Sequence, residues 1–286
     1  MLDAALASIA KHRTKIVELI QNRSKVASTA TVIEWIIVSD GSTDGTCRVV
    51  ENYGHLASQQ TQRCNNTITT TTTKTTTTTK ADVWKLLTLH SNSGKGAAVK
   101  AGMLAARGSM RLMVDADGAT DFDALVTLLL RIDETDHVVF GSRAHLANNN
   151  DNNSQQQQQQ QRTFLRTILM HAFHIFVRFL VGSNIQDTQC GFKLFTREAS
   201  RVLFHNLHLR RWAFDIELVV LACRLQISIA EVNVPWHEVE GSKLDSSKLQ
   251  LAMVAVGMLR DMLCVRLCYM MGIWSIGNAQ SKKKEQ

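Results

Sequence analysis

Proline is nearly absent. At ordinary usage a chain of this length carries about 14 prolines, and here Pro235 stands alone. Either the loops are unusual or a proline-bearing segment is missing. The six cysteines (Cys47, Cys64, Cys190, Cys223, Cys264, Cys268) contain no Cys-x-x-Cys pair. That excludes a regularly spaced zinc module, argues against a disulfide framework and fits a reducing compartment. No run of 18 uninterrupted apolar residues occurs, so no membrane span is predicted. The start lacks the charged residues and apolar block of a secretory leader, and none is expected. Leu2, Leu6, Ile9, Ile16, Val17 and Ile20 instead recur at helical spacing.

What is present is an ordinary globular composition, 45% hydrophobic and 20% charged, which excludes collagen-like or wholly disordered chains. The net charge of +7 and a pI near 9.2 favour an anionic partner. The basic residues are dispersed, so no nucleic-acid surface is expected. Two low-complexity segments, threonine-rich from Thr67 to Lys80 and Asn/Gln-rich from Asn148 to Gln161, cannot bury a core and read as surface insertions.

Between the insertions, strand and helix patterns alternate. Helices are predicted over Asp3–Gln21, Thr43–Tyr53, Gly96–Arg107 and Phe122–Ile132. Strands are predicted over Glu34–Ser39, Val83–Leu89, Met110–Val114 and His137–Phe140. This order implies an α/β fold with a mainly parallel sheet, whose ligand sits beyond the carboxyl ends of the strands.

The polar motifs fall at those ends. Asp40-Gly41-Ser42-Thr43-Asp44-Gly45 follows a strand and opens a helix. It reads equally as a nucleotide contact or as a capped turn. Gly94-Lys95-Gly96 precedes another helix but lacks the spacing of a P-loop. Lys95 is placed either to touch a diphosphate or to stand as a solvated turn lysine. Asp115-Ala116-Asp117 sets two carboxylates one residue apart after an apolar strand. Such a pair is costly without a cation, and its hard oxygens suit Mg2+ or Mn2+ bridging a nucleotide diphosphate. Further along come Gly141-Ser142-Arg143-Ala144-His145, then Asp187 to Lys193, then Arg211-Trp212-Ala213-Phe214-Asp215-Ile216-Glu217. Arg143 at a strand end has the fork geometry for a phosphate.

Taken in order, Asp115 to Thr120, Gly141 to Leu146, Asp187 to Arg197, Arg210 to Leu218 and Glu240 to Leu244 resemble the family 2 glycosyltransferases of the GT-A fold, most of all the branch that glucosylates dolichyl phosphate. The resemblance runs from about Leu2 to Trp274. It implies a GT-A (Rossmann-like) domain over residues 1–245, with inserts at about 60–80 and 147–161, and C-terminal membrane-interface helices with a basic tail over 246–286. It further implies inverting transfer of glucose from UDP-glucose to dolichyl phosphate, at the cytosolic face of the endoplasmic reticulum membrane. Asp40, Gly41, Ser42, Lys95, Asp115 and Asp117 would bind the nucleotide sugar, with Asp115 and Asp117 also at the metal. Arg143 and Lys193 would hold the acceptor phosphate. Asp187, with Asp215 second, is the expected catalytic carboxylate. A monoalkyl phosphate, with a second pKa near ~6, is already a nucleophile at pH 7, so positioning is expected to matter more than proton removal. The GDP-mannose branch shares the Asp-x-Asp logic, but the segments at 141–145 and 241–244 favour the glucosyl branch.

Arg166 to Gly182 and Gln250 to Gly277 are apolar but interrupted by charges, which suits amphipathic helices lying at a membrane surface. The chain also departs from the family pattern, which begins with a membrane helix and a strand ending in Pro-x-Tyr-Asn-Glu. Without that central strand its neighbours are expected to lack a partner, and an inactive, truncated, membrane-associated paralogue is the non-catalytic alternative.

Overall fold

The computed structural model describes residues 11–12, 15–16, 18–20, 32–52, 54, 83–133, 135–149, 185–237 and 248–277. The threonine-rich segment, the apolar stretch 166–182, the motif at 241–244 and the basic tail lie outside the described residues, as does nearly all of the Asn/Gln tract.

The strands form two sheets. Strands β1 (Glu34–Ser39) and β2 (Val83–Thr88) pair in parallel, Glu34 opposite Val83 through Ser39 opposite Thr88. Trp35 and Trp84 face each other in this register and stack with centroids 5.1 Å apart. The second sheet has the order β3-β5-β4-β6, with β3 Met110–Val114, β4 Asp136–Ser142, β5 Phe192–Thr196 and β6 Ser228–Asn233. β4 and β6 are parallel, and β5 runs antiparallel between β3 and β4. Strands β3, β4 and β6 therefore share one direction, and the reversed strand is a feature the sequence pattern did not disclose. Among the described residues no ladder joins β1 to β3.

Period-two alternation sorts the second sheet's side chains onto two cores. Val139, Phe192 and Leu194 face α2 (Ala124–Arg131), whose Leu128 and Leu129 are buried with Ile132; helical residue Ile16 joins this cluster. Val138, Phe140 and Phe195 face the other way, toward Leu203 and Phe204 of α4 (Arg197–Asn206) and Phe214, Leu218 and Leu221 of α5 (Phe214–Arg224). Helix α1 (Lys95–Ala105) sends Met103 into this second core and lays Gly102 against Val38 of β1, so it bridges the two sheets. A short helix α3 (Ala144–Asn149) follows β4. Thr196 caps α4, its side chain accepting from the Ala199 N–H at 3.3 Å.

Helix α6 (Lys248–Met270) is the last helix among the described residues. Its Met262, Val265 and Tyr269 are buried in the same core as Phe140 and Phe195, so its inner face belongs to the main body. Its outer face exposes Met253, Val256, Leu259, Leu263, Leu267 and Met270 at three- to four-residue spacing. Among the described residues no helix is long and apolar enough to cross a membrane.

Candidate functional site

The loops after β1, β2, β3, β4 and β6 leave from strand C-termini. Because β5 is reversed, the loop before it and the start of α5 open on the same edge. Asp40, after β1, accepts from the Ser93 N–H at 2.7 Å and the Gly94 N–H at 2.8 Å, one on each oxygen. The carboxylate is thus engaged in tying two loops together rather than standing free for a uridine. Gly41 (φ 71°) lies where a Cβ would meet Asn92 N and the Ser91 carbonyl carbon at 2.7 Å, so glycine is required for the loops to touch. The Ser42 N–H donates to Ser39 Oγ at 3.2 Å.

Lys95, the first residue of α1, donates to Asp115 Oδ2 at 2.6 Å and lies over the Trp212 ring, 5.4 Å from its centroid. The motifs after β2 and β3 therefore meet as an ion pair, and Lys95 is not a solvated turn lysine. The Asp115 N–H donates to Gly191 O at 2.9 Å, and a Cβ at Gly191 would overlap the Asp115 carboxylate. Glycine at 191 is what lets β5 pass so close. Asp117 is exposed; its Oδ1 accepts from the Ala119 N–H at 2.9 Å in a tight turn eased by Gly118 (φ 77°). Among the described residues no group of three or more His, Cys, Asp or Glu gathers around one point. Two carboxylates at a strand end fit a magnesium-type cation, which takes few protein ligands and completes its shell with water and phosphate oxygens.

Arg143 grips Asp187 with its fork, Nε to Oδ2 at 2.7 Å and Nη2 to Oδ1 at 3.0 Å, while its own N–H donates to Oδ2 at 3.0 Å. Burial pulls the Asp187 carboxyl up, but the hydrogen bonds and charge of Arg143 outweigh it and hold the group below the usual carboxylate range. The N–H groups of Gln186 and Asp187 donate to Glu231, each at 2.8 Å. Arg143 also lies over the Trp236 ring at 5.5 Å. Its fork is spent on Asp187, which leaves its remaining N–H groups for any acceptor.

Lys193 and Asp215 do not stand where the resemblance put them. Alternation along β5 turns Lys193 into the second core, where it is 0% exposed. There it pairs with Asp215, donates to Thr188 O at 2.8 Å and lies 4.6 Å from the Phe140 ring centre. Asp215 is buried too, and burial pushes its carboxyl up against the opposing pull of Lys193. Both groups are closed off from the strand-end edge and engaged with each other, as a buried ion pair holding β5 to α5.

Sequence reasoning gave no role to Trp212, Trp236, Glu217 or Glu231. A charged residue inside the strand pattern Ser-Ile-Ala-Glu-Val-Asn was the available signal for Glu231, and the Arg211–Glu217 motif contained Trp212 and Glu217.

Comparison with known proteins places the chain among glycosyltransferases. The family model described as Glycosyl transferase family 2 matches residues 14–204. The chain is 43% identical over 249 residues to a dolichyl-phosphate beta-glucosyltransferase of Dictyostelium discoideum, covering 85% of this chain and 65% of that protein. Proteins of the same name from Drosophila melanogaster (40%, covering 88% of this chain and 68% of theirs) and Homo sapiens (36%, 96% and 72%) are also similar. The chain thus spans about two thirds of the length of these curated relatives. A glucosyl-3-phosphoglycerate synthase from Mycobacterium tuberculosis, solved with uridine diphosphate, is 16% identical with a TM-score of 0.48, over 80% of this chain and 68% of that one.

Proposed function

The chain belongs to glycosyl transferase family 2, and from that membership we propose that it moves glucose from UDP-glucose onto dolichyl phosphate. The observation that carries this reading is the ion pair of Lys95 with Asp115 at a strand end, two residues before the exposed Asp117. That set suits a metal-bound diphosphate. Relatives named for the glucosyl reaction favour it over transfer from GDP-mannose.

Asp115 and Asp117 would hold Mg2+ or Mn2+. The ion would supply neutralisation of the charge that grows on the departing diphosphate. Lys95 offers a second cation from the start of α1, held in place by Asp115 and the Trp212 ring. The loops at Asp40–Ser42 and Ser91–Gly94, tied by the Asp40 carboxylate, form the wall on the nucleoside side.

The acceptor needs no general base. Its phosphate, with a second pKa near ~6, presents a dianionic oxygen at pH 7. That oxygen bonds to the anomeric carbon as the bond to the UDP oxygen breaks. UDP leaves with the electron pair, and the α-linked donor becomes a β-linked product. Arg143, fixed by Asp187, aims its free N–H groups at the acceptor phosphate; Asp187 positions and takes no proton. The outer apolar face of α6, with Arg260 and Arg266 beside it, lies on the lipid surface that holds the acceptor chain. This is the cytosolic face of the endoplasmic reticulum.

The test is transfer of labelled glucose from UDP-glucose to dolichyl phosphate in lipid vesicles with Mg2+ or Mn2+. Transfer is expected, and both chelation and Asp117→Ala are expected to abolish it. A folded chain that transfers mannose from GDP-mannose, or nothing from either donor, overturns the reading.

A further inference from the structure

Glu217 is a buried carboxylate on which several donors converge, and the reaction above makes no use of it. It lies in the first turn of α5 and is 0% exposed. Its oxygens accept from the main-chain N–H of His208 at 3.0 Å and of Leu209 at 2.6 Å, and from the Tyr269 hydroxyl at 3.0 Å. The His208 ring nitrogen Nδ1 is also 3.0 Å away. A buried carboxylate persists when donors converge on it, and here two of those donors are backbone groups of one loop.

That loop is the seat of α1. The Ala97 N–H donates to Arg210 O at 3.0 Å, and Lys100 Nζ donates to Leu207 O at 2.6 Å. A Cβ at Gly94 would lie 2.5 Å from Arg210 O, and one at Gly96 would lie 2.7 Å from Leu209 O. The turn that carries Lys95 is therefore pressed, with no side chain between, onto backbone that Glu217 holds. Two residues further on, Trp212 lies beneath the Lys95 ammonium.

We infer that Glu217 is a positioning residue for Lys95: it fixes the 207–210 backbone on which the first turn of α1 rests, and so sets where Lys95 meets Asp115. The inference rests on the reading of Lys95 and Asp115 as the diphosphate side of the site. Tyr269 brings the C-terminal helix into the same knot, so the surface-lying helix and the donor-binding turn share one carboxylate.

Glu217→Gln tests this on the whole protein in vesicles. The amide keeps the shape but offers one acceptor where three donors converge, and turns an NH2 toward them. Without any ligand, amide hydrogen exchange over residues 94–98 is expected to rise at least tenfold. In turnover, KM for UDP-glucose is expected to rise at least tenfold, while KM for dolichyl phosphate stays within twofold. In a Lys95→Ala background the same change is expected to add less than twofold, because its effect passes through Lys95. Tyr269→Phe removes a single donor and is expected to shift exchange and donor KM in the same direction by about threefold; it serves if Glu217→Gln fails to fold. Unchanged exchange at 94–98, equal rises in both KM values, or full additivity with Lys95→Ala overturns the inference. A wild-type chain that does not use UDP-glucose overturns the proposed function instead, and the exchange measurement then decides the role of Glu217 alone.

Discussion

Removing the Lys193 ammonium while leaving Asp215 in place produces a destabilisation that depends on pH. In Lys193→Met the Asp215 carboxyl stays buried with its counter-charge gone. An unpaired buried carboxylate takes up a proton rather than remain charged. An ordinary aspartate has a pKa near ~4, so holding the group protonated at pH 7 costs about 3 pK units at ~1.4 kcal/mol each, or about 4 kcal/mol. Thr188 O loses its donor as well, adding about 1 kcal/mol. The sign follows from linkage: the folded carboxyl has a raised pKa, so the penalty is absent below about pH 4 and grows as pH rises toward the folded value. At pH 5 the protonation cost falls to about 1.5 kcal/mol. Urea unfolding followed by tryptophan fluorescence at pH 5 and pH 7 reads both values. The double variant Lys193→Met/Asp215→Leu, with neither charge, is expected to return to within about 2 kcal/mol of the parent at both pH values. A loss below about 1 kcal/mol at pH 7, or one that does not change with pH, would refute the account of a buried, mutually dependent pair.

Three further outcomes are expected. Gly191→Ala places a methyl group into the Asp115 carboxylate; UDP affinity by calorimetry should fall at least tenfold, about 1.4 kcal/mol, and unchanged affinity would mean that Asp115 is not needed where it stands. The Asp187 carboxyl is held low by Arg143, so its contribution of about 2 kcal/mol is complete above about pH 4 and fades as pH falls through the lowered pKa; the stability gap between parent and Asp187→Asn should be flat above about pH 5 and narrow in acid, and a gap that widens in acid would contradict the pairing. Val256→Asp with Met270→Asp, both on the exposed face of α6, should change folding stability by about 0.5 kcal/mol or less each yet lower vesicle binding at least tenfold; undiminished binding would remove α6 from the lipid contact.

The readable parts of the fold were the short apolar runs. Trp35-Ile36-Ile37-Val38 and Leu112-Met113-Val114 are apolar runs that end at acidic turns, so both the strands and Asp40, Asp115 and Asp117 at their ends could be placed. Strand β5 was hidden because Lys193 interrupts Phe-Lys-Leu-Phe, and its partner Asp215 lies 22 residues away. Only tertiary packing shows that a lysine can occupy a core position, and the same packing converts two expected site residues into structural ones. Strand direction was equally unreadable, since alternation is the same whichever way a strand runs. The Arg143–Asp187 fork joins residues 44 apart; each was singled out, but not that each is the other's partner. The exposed apolar stripe of α6 was legible as one face of an amphipathic helix, whereas the helix's burial against the main core through Met262, Val265 and Tyr269 was not.

The reversed strand has a bearing on how the protein is made. β3 and β4 are complete by residue 142, but they are not neighbours; the strand that belongs between them begins at Phe192. At a synthesis rate of about 5–20 residues per second, the ribosome takes about 3–10 s to supply it. Throughout that interval β3 and β4 lack the strand that pairs with both of them, and unpaired strand edges are prone to wrong pairing. The sheet can therefore close only after β5 has been made.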